Sequence, residues 1–151
     1  MRPRPGSLMV LVDVGPLIAL INRGDEDHDL CVRTLRDLPL PLLTSWTAFG
    51  EAMHVVGELG KRSGRDGKWL AQKALWDLMD AGAIEVAEPT AHLIARMKAL
   101  MGKYRDTPMD LGDASLVALA EDRKITRIFT LDADFLVYRV GKRAFDLLPA
   151  P

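Results

Sequence analysis

The 151-residue chain has a single cysteine, Cys31, and three histidines, His28, His54 and His92. One cysteine excludes an internal disulfide and fits a reducing compartment. The histidines stand at no metal-ligand spacing and read as structural. Neither sign of charge dominates: 20 Lys and Arg face 21 Asp and Glu, for a net charge of -1. Whole-molecule attraction to nucleic acid is therefore absent, and a polyanionic partner must be met by a local basic patch. No apolar run approaches the roughly 20 residues that a membrane span requires. Arg2 and Arg4 ahead of an apolar stretch imitate a secretory signal, but Asp13 and Gly15-Pro16 interrupt it and no small-x-small site follows Leu20 to Gly24. Residues 1–7 read as a loose leader to a single domain at 8–151, in the cytoplasm. GxSxG, Walker A and GxGxxG segments are missing too, which removes the simplest hydrolase, NTPase and dinucleotide readings.

What the chain does have is 48% hydrophobic residues mixed with 27% charged ones, a globular pattern. Residues 8–12, LMVLV, form an unbroken apolar run, as in a parallel strand covered on both faces. Pro16 sits where a helix begins. Further helices are predicted over 27–37, 46–59 with Ser45 as N-cap, 68–80, from Pro89-Thr90 to 103, and 110–124. Strands are predicted at 42–44, 83–87, 127–131 and 144–148. This alternation predicts a three-layer α/β/α sandwich with a mainly parallel sheet.

In such sheets ligands bind beyond the carboxyl ends of the strands. Two strands here end in an acid, Asp13 after LMVLV and Asp132 after RIFTL. Taken singly, Asp13 reads equally as a helix cap and Asp132 as a turn residue. Asp113 shares a helical stripe with Leu116, Val117 and Ala120, and Glu51 lies at the edge of an apolar face with Ala48 and Val55. A buried carboxylate needs a cation, a proton or a metal, and neither stripe supplies a lysine or arginine. As boundary acids both would simply reach solvent. If the four converge, an all-oxygen set describes a site for Mg²⁺ or Mn²⁺, whose usual task is phosphoryl chemistry.

The run from 61 to 73 carries Lys61, Arg62, Arg65, Lys68 and Lys73 against Asp66, a candidate for phosphate contact, with Gly60, Gly64 and Gly67 letting the loop adapt. Trp46, Trp69 and Trp76 are candidates for stacking bases. Trp69 and Trp76, however, stand seven apart on one helix face, a spacing that favours packing or a homodimer contact. A haloacid-dehalogenase-like phosphatase needs an acid two residues after Asp13, where Gly15 stands. A receiver domain needs paired acids at the first strand and a lysine after a late one, which TLDADF lacks.

Three segments, LVDVGPLIALI, TSWTAFGEAMHVV and PMDLGDASLVALAEDRKITRIFTLDADF, resemble the PIN-domain ribonucleases, and among them the VapC-type toxins. The resemblance runs over nearly the whole chain in the family's order. It implies that Asp13, Glu51, Asp113 and Asp132 are the acidic quartet that binds a divalent metal, Mg²⁺ or Mn²⁺, with the Thr130 hydroxyl beside them. It implies hydrolysis of RNA to 5′-phosphate products and restraint by a small antitoxin. The family commonly carries Ser or Thr directly after the first acid, where this chain has Val14. Asp110 and Asp134 are additional acids; Asp110, three residues before Asp113, reads most simply as an N-cap outside the metal's immediate ligands. The alternative to an enzyme is a PIN fold with vestigial catalysis that sequesters RNA or a protein.

Overall fold

The computed structural model describes residues 9–151, so the predicted leader and Leu8 lie outside the described residues. Its centre is β1 (Leu11–Val12), shorter than the apolar run around it. There follow α1 (Val14–Ile21), α2 (His28–Arg36), β2 (Leu42–Ser45), α3 (Trp46–Gly60), a 3-10 turn at Lys61–Ser63, and α4 (Gly67–Asp80). Next come β3 (Ile84–Ala87), α5 (Ala91–Lys103), α6 (Leu111–Arg123), β4 (Arg127–Phe129) and a 3-10 turn at Ala133–Leu136. A hairpin of β5 (Arg139–Val140) and β6 (Arg143–Ala144) precedes β7 (Asp146–Leu148).

The main sheet has the order β3-β2-β1-β4-β7, and every pairing in it is parallel. Leu11 stands opposite Leu43 on one side and Ile128 on the other, so β1 is the middle strand. Its burial on both faces explains the absence of polar alternation. Leu11 packs with Leu116, Leu119, Ile128 and Phe135 under α5 and α6, whereas Val10 and Val12 pack with Leu17, Phe49, Val56 and Leu75 under α1, α3 and α4. Each fully buried side chain of this kind contributes about 1.5–3 kcal/mol. The result is the expected three-layer α/β/α sandwich.

Local chemistry sets the helix starts. Ser45 Oγ accepts from Ala48 N at 3.0 Å and Thr90 Oγ1 from Leu93 N at 3.2 Å, each taking up a donor that the first turn leaves open. The loop at 60–67 departs from the reading that all three of its glycines let it adapt. Gly64, at φ 96, serves a turn. Gly60 and Gly67 instead let α3 and α4 touch: a Cβ on either would collide with the other's carbonyl oxygen. The tryptophan stripe on α4 is covered at one end only. Trp76 lies edge-on to Phe49 at 5.2 Å, while Trp69 is 56% exposed. His28 is structural as expected, its Nδ1 lying 2.6 Å from the Ala19 carbonyl oxygen, whereas His54 and His92 are exposed.

Because all five strands run the same way, the residues after β1 and β4, the second turn of α3 and the first turn of α6 meet at one edge of the sheet.

Candidate active site

At that edge a cleft of about 420 Å³ is lined by Asp13, Glu51, Asp110, Asp113 and Asp132, with Gly15 and Gly112 among its other walls. All four acids singled out by their placement on strand ends and helix faces therefore reach one space, and Asp110 joins them. No lysine or arginine is in that lining.

Asp13 follows β1 and caps α1: Oδ1 accepts from Val14 N at 2.8 Å, and Oδ2 accepts from the Thr130 hydroxyl at 2.8 Å. The cap and the site are thus one residue. Thr130, following β4, also accepts from Asp132 N at 3.0 Å, which ties the two strand ends together. Asp132 Oδ1 accepts from Asp134 N at 2.9 Å and opens the 3-10 turn at Ala133–Leu136. The Asp134 carboxylate itself is outside the cleft lining.

Asp110 and Asp113 form a reciprocal capping box at the start of α6. Asp110 Oδ1 accepts from Asp113 N at 2.7 Å, and Asp113 Oδ2 accepts from Asp110 N at 3.3 Å. Reading Asp110 as a cap was correct, but its placement in the lining shows that capping does not remove it from the cleft. Tyr138, fully buried, directs its hydroxyl to Asp113 Oδ2 at 3.4 Å, a contact for which a 25-residue separation leaves no sequence signal. Glu51, exposed on the second turn of α3, lies against Gly112.

The electrostatics are those of crowded acids. Burial pushes Asp13 up to about 6, against the hydrogen bonds from Thr130 and Val14 and with the charges of Asp132 and Asp110. Burial, then the charges of Asp110 and Asp13, hold Asp113 well above the usual carboxylate range. Glu51 is raised by desolvation and by Asp110. Negative charge in this cleft is poorly compensated, which is the condition a cation relieves.

Among the described residues no three of these carboxylates close on one point as a finished metal cage. Their oxygens are instead engaged with Val14 N, Thr130, Asp134 N and the capping box. The donor set still fits a hard divalent ion. Mg²⁺ is usually held by one or two carboxylates and keeps several waters, so a wide oxygen-lined cleft suits it better than a closed cage. Lys61, Arg62, Arg65 and Lys68 are all exposed at the far end of α3, away from this lining, and Lys61 pairs with Glu58 at 3.0 Å.

A family model of the PIN domain matches residues 10–141. No match was found among curated protein sequences. Among solved structures, the chain is similar to VapC20 of Mycobacterium tuberculosis, described as a toxin that cleaves the sarcin-ricin loop. That similarity has a TM-score of 0.72 and 22% identity, over 83% of this chain and 91% of that one. A toxin-antitoxin complex from Klebsiella pneumoniae gives a TM-score of 0.60 and 20% identity, over 83% and 89% of the two chains. VapBC2 of Rickettsia felis, bound to a DNA fragment from its promoter, gives 0.58 and 8%, over 92% and 98%.

Proposed function

The chain belongs to the PIN-domain family, and from that premise we propose that it is a divalent-metal-dependent endoribonuclease, the toxin of a VapBC-type toxin-antitoxin pair. The observation that carries this reading is the convergence of Asp13, Glu51, Asp113 and Asp132 on one cleft whose lining contains no cation. Similarity of fold to a sarcin-ricin-loop-cleaving toxin and to toxin-antitoxin complexes supports it.

On this reading the four carboxylates hold Mg²⁺ or Mn²⁺. The bound ion supplies stabilisation of the charge that develops on the phosphate and activation of the attacking water. Thr130 fixes the Asp13 carboxylate, and Val14 N–H fixes its other oxygen. Asp110 adds negative charge from the rim. The phosphodiester breaks at its 3′ oxygen, leaving a 5′-phosphate. Lys61, Arg62, Arg65 and Lys68 contact phosphates farther along the RNA. An antitoxin closes the cleft with a basic residue, arginine above all, because a guanidinium pairs with the carboxylates that otherwise hold metal. The exposed Trp69 and Leu70 of α4 belong to a homodimer contact. No helix among the described residues is long and apolar enough to cross a membrane. The compartment proposed for this activity is the cytoplasm.

The test is cleavage of structured RNA by the purified protein with Mg²⁺ or Mn²⁺, beside Asp13→Asn. Cleavage that needs the ion and disappears in the variant supports the reading. RNA or partner binding without any cleavage overturns it in favour of a sequestering module.

A further inference from the structure

Ser45 and Ser115 stand 70 residues apart in sequence and meet in the interior, their hydroxyl oxygens 2.7 Å from each other. Ser45 closes β2 and caps α3, Ser115 lies in the second turn of α6, and both are buried. Ser115 Oγ also donates to the Gly112 carbonyl oxygen at 2.6 Å. A carbonyl oxygen can only accept, so the single Ser115 proton is committed there, and the Ser45 hydroxyl must donate to Ser115. Ser45 Oγ in turn accepts from Ala48 N at 3.0 Å.

The series of donors does not stop at Gly112. The peptide unit whose oxygen takes the Ser115 proton also carries the Asp113 N–H, which donates to Asp110 Oδ1 at 2.7 Å. Every donor from Ala48 to Asp113 therefore points the same way, from the first turn of α3 to a carboxylate of the cleft. Donors aligned in this way polarise one another, and in a buried setting each bond is stronger than it would be in water. Asp110, Gly112 and Asp113 all line the cleft, and α3 presents Glu51, one turn after Ala48, against Gly112. The relay thus ties together the two helices that bring Glu51 and Asp113 to the site.

We propose that Ser45 and Ser115 are positioning residues of the site: their linked hydroxyls fix the Gly112–Asp113 peptide unit, and with it the orientation of the Asp110 and Asp113 carboxylates relative to Glu51. The inference rests on the ribonuclease reading for what the site then does. Neither serine is in the cleft lining, so both act through the backbone of α6 and touch no reacting atom. Carboxylates held in this way are already ordered when an ion arrives. Loss of such a supporting partner costs roughly 10–100-fold in metal affinity or activity.

The test compares the full chain with Ser115→Ala, Ser45→Ala and the double variant, and with Gly67→Ala, which strains the contact of α3 with α4 outside the cleft lining. Alanine suits the interior of α6, so Ser115→Ala is expected to fold with a lowered Tm. Three quantities are measured well below Tm: Mn²⁺ affinity by calorimetry, kcat and KM on structured RNA at saturating Mn²⁺, and hydrogen exchange of the Asp113 amide in the metal-free protein. Each serine variant is expected to lose about tenfold in Mn²⁺ affinity and in kcat, with KM for RNA unchanged. Asp113 exchange is expected to quicken about tenfold in both, including Ser45→Ala, which removes no direct partner of that amide. One break already interrupts the relay, so the double variant is no worse than Ser115→Ala. Gly67→Ala loses Tm and keeps all three quantities. Wild-type Mn²⁺ affinity, kcat and Asp113 exchange in Ser115→Ala, equal losses in Gly67→Ala, or losses in the single variants that multiply in the double overturn the proposal. Absence of RNA cleavage by the wild type would sink the ribonuclease reading alone, since Mn²⁺ affinity and Asp113 exchange still decide the relay.

Discussion

Glu51 rests against Gly112: a Cβ built on Gly112 would stand 2.7 Å from Glu51 Oε2 and 3.3 Å from Asp110 Oδ1. The carboxylate of α3 and the backbone of α6 therefore approach through the one residue type that has no side chain to part them. The atom in the way is the free end of a flexible glutamate, so Gly112→Ala is expected to fold normally and to gain up to about 1 kcal/mol from helix propensity. The same methyl displaces Glu51 from the cleft, and misplacement of a positioning group by about 1 Å costs up to roughly a hundredfold in rate. Melting temperature and RNA cleavage rate, measured together, check this. Unchanged cleavage would remove Glu51 from the site.

Gly67 presents the opposite case, because its neighbour is the Gly60 carbonyl oxygen, a backbone atom that cannot rotate away. Gly67→Ala forces α3 and α4 apart and is expected to destabilise by about 1–3 kcal/mol, the range for overpacking. In a chain of this size that lowers Tm by roughly 2–4 °C per kcal/mol. The carboxylates lie at the other end of α3, so specific activity well below Tm should hold. Thermal melts and cleavage at low temperature separate the two effects.

Gly60 and Gly67 show where sequence reading ran out. The β1 run was legible because burial on both faces erases alternation over a stretch of five residues, and the Ser45 and Asp110 caps were legible because each acts within three residues of itself. Gly60 and Gly67 were misread as loop flexibility, since a glycine that lets helices touch looks the same in sequence as one that makes a turn. The 3-10 turn at Ala133–Leu136 and the β5–β6 hairpin were missed because elements of two to four residues carry no period. At the candidate site the acids declared themselves by their awkward placement on strand ends and an apolar stripe. The Tyr138 contact to Asp113 and the Asp110 carboxylate in the cleft required the fold.

The raised Asp13 gives a signed dependence on pH in the metal-free protein. Between its ordinary value of 3.8 and about 6 the folded state holds a proton that the unfolded chain has released. Stability therefore falls as pH rises through that window, by on the order of 2–3 kcal/mol in total from this residue. Asp113, raised as well, acts in the same direction. Denaturant unfolding in EDTA at a series of pH values is expected to show a steeper decline from pH 4 to 6 for the wild type than for Asp13→Asn. Excess Mn²⁺ should flatten the wild-type curve by binding the folded state alone. Parallel curves for the two proteins would show that Asp13 is not buried as a strained acid.

Asp113→Asn is expected to abolish RNA cleavage while leaving metal-free stability equal to or above that of the wild type. The carboxylate lies under burial and under the charges of Asp110 and Asp13, both of which disfavour its ionised form. Removing the charge relieves that repulsion. The amide keeps one oxygen to accept from Asp110 N and Tyr138 Oη, so the capping box and the packing of Leu116, Val117 and Ala120 against the sheet persist. Affinity for a divalent ion falls, because a neutral amide oxygen attracts it far less than a carboxylate does, and the stabilising effect of Mn²⁺ on melting falls with it. A structural acid would behave otherwise. Were Asp113 retained for the fold, the substitution would lower the metal-free melting temperature and spare activity at saturating Mn²⁺. Melts with and without Mn²⁺ beside a gel assay on structured RNA distinguish the two, and a destabilised but active Asp113→Asn would take Asp113 out of the metal site.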